Sequence, residues 1–128
     1  MAGASILVVE DERIIAAHLQ HLLLRMGHNV VAIVTSGREA LDKAAALRPE
    51  VVLMDVKLRG EMGGLEAGES IRAQWHIPVI YMTAYTGAAA LADAGVAPPI
   101  LYISKPFDAE HIHTVLRMAL EPPSSEPR

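Results

Sequence analysis

The chain reads as an α/β protein, a doubly wound parallel sheet with helices on both faces. Two observations predict this. Five short runs, residues 6–9, 30–34, 51–54, 79–82 and 100–103, are almost continuously apolar, as strands are when both faces are covered. Between them lie segments whose apolar residues recur at spacings of three and four, the period of an amphipathic helix. Repeated strand-then-helix units imply right-handed crossovers.

Each element has its own signals. The first strand, Ile-Leu-Val-Val, is followed by a helical pattern in which Ile15, Leu19, Leu22 and Met26 form one stripe and Gly27 offers the stop. The second strand leads to "SGREALDKAAALRP", with Ser36 as N-cap and Pro49 as terminator. A third helix is expected over 64–75, a short Ala-rich fourth over 86–94, and a fifth over 108–120 capped by Asp108. Residues 1–120 form one domain on this reading, and the tail "EPPSSEPR" over 121–128 reads as a disordered end or the start of a linker.

Composition narrows the function. The chain has 128 residues, enough for one self-sufficient core, and no cysteine, which removes disulfides and thiolate metal sites. Its start carries no basic n-region, and its apolar runs fall well short of the roughly 20 residues that span a bilayer, so a cytoplasmic protein without a membrane role is expected. The net charge is −4 and the 11 basic residues are dispersed, which argues against direct nucleic-acid binding.

The stretch "SILVVEDE" poses the functional question, because carboxylates that follow a buried strand at once would repel one another in a dry place. In open α/β sheets, ligands bind beyond the carboxyl ends of the strands. Glu10 and Asp11 stand at that end of the first strand, Asp55 at the third, Thr83 after the fourth and Lys105 after the fifth. Taken singly, such an aspartate is ordinarily a cap or turn residue. Five polar groups from four strands converging on one rim reverse that preference. An all-oxygen acidic set suits Mg²⁺, which keeps several waters and completes its shell with phosphate.

At "VVEDE", "VVLMDVKL", "YMTAY" and "ISKPF" the sequence resembles the response regulator receiver domains of two-component signalling, over about residues 4 to 120. Each motif alone is weak; four in register are specific. The resemblance implies a flavodoxin-like (βα)5 fold with strand order 2-1-3-4-5. It implies that Asp55 is the phosphoacceptor, attacking a phosphohistidine on a sensor histidine kinase or histidine phosphotransfer protein to form an acyl phosphate. Asp11, Asp55 and the backbone carbonyl of Lys57 would ligate Mg²⁺, with Glu10 acting through a water. Lys105 would neutralise the transferring group, Thr83 would move toward it, and Tyr102 would turn inward as the aromatic switch. The Lys105–Pro106 bond would be cis. Output would pass to a downstream protein effector through the fourth and fifth units; dimerisation through the same units is compatible with this, and no residue pattern selects it.

Departures and alternatives also stand in the sequence. The loop "VKLRGEMGGLEAG" lacks the proline often found there, is one residue longer and has Gly63 where an aspartate commonly precedes the glycine, so a more mobile loop is expected. Lys57 and Tyr85 occupy positions where family members vary dephosphorylation, and Tyr85 could obstruct attacking water. Tyr102 could equally be half-buried strand packing. His18, His21, His111 and His113 read as surface histidines, with partner docking by the first helix as the other reading. Met54, Met62, Met82 and Met118 read as fillers of core or loop. A nucleotide- or flavin-binding enzyme would carry a Gly- or Ser/Thr-rich cradle after the first strand, where this chain has "EDERIIA". A pseudo-receiver, an interaction module working without phosphorylation, remains the alternative. With no effector segment after residue 120, the chain as read would bind or relay to another protein, or belong to a longer one that carries a DNA-binding or enzymatic domain.

Overall fold

A computed structural model describes residues 3–58, 60–83 and 101–120. The expected fourth helix over 86–94, Tyr85, the start of the fifth apolar run at Ile100 and the tail over 121–128 lie outside them. The described elements are β1 (Ser5–Val9), α1 (Arg13–Arg25), β2 (Asn29–Val34), α2 (Gly37–Leu47), β3 (Val51–Asp55), α3 (Gly64–Trp75), β4 (Val79–Thr83), β5 (Leu101–Ser104) and α4 (Ala109–Leu120). The strands form one parallel sheet in the order β2-β1-β3-β4-β5. This is the flavodoxin-like order expected. The order reverses between β1 and β3, so the crevice for a ligand opens at their carboxyl ends.

Side-chain alternation along the strands divides the interior in two. Leu7, Val9, Val52, Met54, Val79 and Tyr81 face α2 and α3, packing on Ala40, Ala44, Ala67 and Ile71. Ile6, Val8, Val51, Leu53, Ile80, Met82 and Ile103 face α1 and α4, packing on Leu19, Leu23, Ile112, Val115 and Leu116. Helix α2 meets the sheet with alanines, which lets its backbone come close.

The end signals act as their chemistry suggests. Ser36 Oγ accepts from Glu39 N at 3.1 Å, while Glu39 Oε1 accepts from Thr35 N at 3.1 Å. Asp108 Oδ1 accepts from His111 N at 2.8 Å and so caps α4. Gly27, at φ +91, follows α1 in the left-handed conformation that glycine tolerates. One sequence expectation shifts. The buried seam of α1 is Ala16, Leu19 and Leu23, with Ile15, Leu22 and Met26 flanking it. The helix is apolar over so broad an arc that periodicity admits neighbouring seams, and the small Ala16 decides by allowing close approach to the sheet. His18, His21, His111 and His113 are all exposed. Met54 and Met82 are fully buried, whereas Met118 is exposed on α4.

Candidate functional site

The carboxyl ends of β1 and β3 deliver the acids. Glu10 leaves β1 with its N–H bonded to Val34 O at 3.0 Å, so its side chain continues the inward alternation of Ile6 and Val8. It is 1 % exposed and Asp55 is 4 % exposed. Two buried carboxylates side by side need compensation. Lys105 supplies part of it: Nζ lies 3.3 Å from Glu10 Oε1 and 3.3 Å from Asp55 Oδ2. Its own N–H is bonded to Thr83 O at 2.8 Å, and the bond to Pro106 is cis.

Asp55 belongs to β3, in register with Met82, and the next residue is held to β4 by Val56 N to Met82 O at 3.1 Å. Asp55 Oδ1 accepts from Lys57 N at 3.0 Å, and Glu10 Oε2 accepts from Glu12 N at 3.1 Å. Glu10 Oε1 is buried and, among the described residues, receives no hydrogen bond, its contact with Lys105 lacking hydrogen-bond geometry. Burial, together with the neighbouring Asp55, pushes the Glu10 carboxyl up to about 7, against the pull of Glu12 N–H and Lys105. For Lys105, burial works against the charge, but attraction to Asp55 and Glu10 outweighs it and holds the ammonium above the usual lysine value.

Glu10, Asp11 and Asp55 each offer an oxygen, all within 4.8 Å of one another. An all-carboxylate trio with an unbonded buried oxygen fits a hard divalent cation. The structure thus brings together Glu10, Asp11, Asp55 and Lys105, with Lys57 joined through its backbone N–H. Thr83 ends β4, partly exposed and in register with Ser104. Tyr102 is half-buried on β5, packed against the α2/α3 side of the core beside Tyr81 in register.

Three features of the site escaped the sequence reading. A Cβ at Gly64 would collide with the carbonyl oxygen of Asp55, so only glycine lets α3 start against the strand that carries Asp55; the paired glycines of the loop were the available signal. In the loop before it, Val56, Leu58 and Met62 pack on the core. Beside Lys105, a groove of about 370 Å³ is lined by Ile14, Ile15, His18, Pro106 and Phe107. Ile14 stands 85 % exposed at its edge.

The family model for the response regulator receiver domain matches residues 6–117. The phyllosphere-induced regulator PhyR of Methylorubrum extorquens is 33% identical over 119 residues, covering 92% of this chain and 44% of that protein. The transcriptional regulatory protein ZraR of Escherichia coli is 36% identical over 116 residues, covering 90% of this chain and 26% of its own length. The chain therefore spans less than half of either regulator. Among solved structures, the signal receiver domain of a modulated diguanylate cyclase from Desulfovibrio desulfuricans superposes with a TM-score of 0.84 at 31% identity, covering 92% of this chain and 94% of that one. With the strand order, the acidic rim and a family match across nearly its whole length, this chain belongs to the response regulator receiver domains of two-component systems.

Proposed function

We propose that the chain is a Mg²⁺-dependent phosphoryl acceptor whose Asp55 takes the phosphoryl group from a phosphohistidine on a sensor kinase or phosphotransfer protein in the cytoplasm. The observation that carries this reading is Lys105 Nζ placed 3.3 Å from both buried carboxylates, Asp55 and Glu10, at the mouth of the sheet. An Asp55 oxygen attacks phosphorus, the P–O bond forms as the P–N bond breaks, and the imidazole leaves with the electron pair. Lys105 faces the charge that builds on the equatorial oxygens. Asp11, Asp55 and the Lys57 carbonyl would hold Mg²⁺, with Glu10 through a water; the ion supplies charge neutralisation and orientation of the phosphoryl oxygens. Lys57 N–H, already bonded to Asp55 Oδ1, fixes which carboxylate oxygen stays turned away from attack.

The product places about −1.5 to −2 charge next to Lys105 and Thr83. Thr83 would then be drawn inward and Tyr102 would turn with it, changing the surface of the fourth and fifth units that a downstream protein effector reads. The groove of Ile14, Ile15, His18, Pro106 and Phe107 opens beside Lys105, and on this reading it receives the donor that presents the histidine. Among the described residues no helix is long and apolar enough to cross a membrane.

The test is incubation with Mg²⁺ and acetyl phosphate, comparing the wild type with Asp55→Asn by intact mass. An acid-labile phosphoryl adduct that requires Asp55 supports the reading. Its absence would leave the pseudo-receiver, a phosphorylation-independent interaction module, as the better account.

A further inference from the structure

Tyr81 has no part in the site described above, yet it is bound more firmly than strand packing requires. It is fully buried in the middle of β4, and its hydroxyl donates to Glu69 Oε2 at 2.5 Å. The same oxygen accepts from Arg72 Nη1 at 2.8 Å. Both partners belong to α3, with side chains reaching the surface at 32 % and 21 % exposure. A bond to a carboxylate held by a guanidinium is of the strong, charge-assisted kind. Burial, with Glu69 alongside, holds the phenol far above its ordinary range, so it stays a donor.

The placement links this bond to the site. Tyr81 is in register with Met54, the neighbour of Asp55, on one side and with Tyr102 on the other. Thr83 lies two residues further along β4, hence on the same face. Helix α3 comes close at two glycines: Gly64 rests on the Asp55 carbonyl, and Gly68 faces the Tyr81 side chain, where an added Cβ would lie 2.7 Å from Cε1. The helix is therefore tied both to the acceptor's strand and to the strand that ends in Thr83.

We infer that Tyr81, Glu69 and Arg72 are a mechanical tie through which phosphorylation of Asp55 is felt by α3, with Tyr81 as a positioning residue between Thr83 and the helix. The inference rests on the proposed phosphoryl-acceptor reading. When Thr83 is pulled toward the phosphoryl group, the end of β4 shifts. A side chain two residues back, bonded to a helix whose backbone lies against its ring, carries that helix along for as long as its part-buried charge-assisted bond holds. Arg72 and Glu69 then present a surface that differs between the two states, apart from the fourth and fifth units.

Trp75, the single tryptophan of the chain, sits on the same helix one turn beyond Arg72, with Arg48 5.5 Å above its ring. It reports on α3 directly. With Mg²⁺ and beryllofluoride the full chain should change its Trp75 emission, and Asp55→Asn should not. Tyr81→Phe keeps the ring and removes only the hydroxyl; it should form the acetyl phosphate adduct in unchanged yield while the emission response falls by about half or more. Glu69→Ala, on the partly exposed helix surface, should do the same, and Glu69→Gln, which keeps an oxygen acceptor, should restore part of the response. A full response in both Tyr81→Phe and Glu69→Ala overturns the tie. So does a wild type that forms the adduct with Trp75 silent. A wild type that forms no adduct overturns the phosphoryl-acceptor reading itself, and this inference with it.

Discussion

The Lys105 ammonium stands 3.3 Å from Oδ2 of Asp55, on a backbone pinned to β4 by its own N–H. Because strand β5 and the bond to Thr83 O set its position, the charge is in place before any phosphoryl group arrives. Such preorganised charge is worth most when it need not move. Lys105→Ala should therefore lower the rate of Asp55 phosphorylation by small donors by roughly 10²-fold, followed by intact mass against time. A variant within a few-fold of wild type would remove Lys105 from the chemistry.

On the proposed Mg²⁺ site, Glu10 would link metal binding to pH. Its carboxyl titrates at about 7 in the folded protein, against 4.5 for an ordinary glutamate. Between those values the folded state holds a proton that the unfolded state has lost, so the metal-free protein loses stability as pH rises through this window. A divalent ion held among the acids, as proposed, would compete with that proton. Calorimetric titration with Mg²⁺ in buffers of different ionisation enthalpy should show close to one proton released near pH 6 and few at pH 8, with affinity weakening about tenfold per unit below pH 7. Glu10→Gln should abolish the proton release. Equal release in that variant would place the titration elsewhere.

Gly63 and Gly64 are adjacent but not equivalent. At Gly64 a methyl group would run into the backbone oxygen of Asp55, which no rotamer change can relieve, whereas around Gly63, at φ −76, there is open space. Gly64→Ala should cost about 1–3 kcal/mol and lower Tm by roughly 5–15 °C, and weaken Mg²⁺ binding at the proposed site because the strand that carries Asp55 must shift. Gly63→Ala should stay within about 0.5 kcal/mol of wild type. Paired melting curves decide this, and a tolerated Gly64→Ala would mean that α3 can start elsewhere.

Much of this architecture was legible because the relevant signals are local. Continuous apolar runs marked the strands, Ser36 and Asp108 marked helix starts, and four short motifs placed Glu10, Asp11, Asp55, Thr83 and Lys105 on one rim. What escaped depends on contacts between distant segments. Tyr81 looks like any apolar strand residue until Glu69, 12 positions earlier, is seen at its hydroxyl. Gly64 looks like loop glycine until the Asp55 carbonyl is found where its Cβ would be. The seam of α1 could not be read to the residue because Ile14, Ile15 and Ala16 are consecutive and apolar, and only the sheet beneath chooses among them. Tandem apolar residues defeat periodicity.

At the opposite end of the sheet, His28 Nδ1 accepts from Ala4 N at 3.0 Å, a bond that requires the neutral ring. Burial, and then the nearby His113, lowers its pKa below 6.5, with Glu50 pulling the other way. The unfolded chain therefore binds a proton more readily than the folded one, and the contribution of His28 to stability is present above pH 6.5 and lost as pH falls below it. This sign is opposite to that of Glu10, so the two are best separated in a Glu10→Gln background. There, denaturant midpoints should fall on going from pH 7.5 to 5.5, and His28→Leu should flatten the fall while lowering stability at pH 7.5 by about 1 kcal/mol. An undiminished pH slope in His28→Leu would assign the effect to another group.

Ile14 offers a way to separate docking from chemistry. It is 85 % exposed, so its removal leaves the core untouched, and it edges the apolar groove that runs to Lys105. On the proposed reading, a protein donor would lie against α1 and the segment of Pro106 and Phe107 to bring a histidine to Asp55, whereas acetyl phosphate needs only the acidic mouth. Burying a side chain of this size at an interface contributes about 1.5–3 kcal/mol, equivalent to roughly 10- to 150-fold in affinity. Ile14→Asp also adds charge and a desolvation cost where an apolar partner would sit. The expected result is transfer from a phosphorylated histidine donor slowed at least about tenfold, with the acetyl phosphate rate and Tm unchanged. If both donors slow together, Ile14 acts through the fold of α1 and the groove is not the docking face. If neither slows, the donor approaches from another side of the rim.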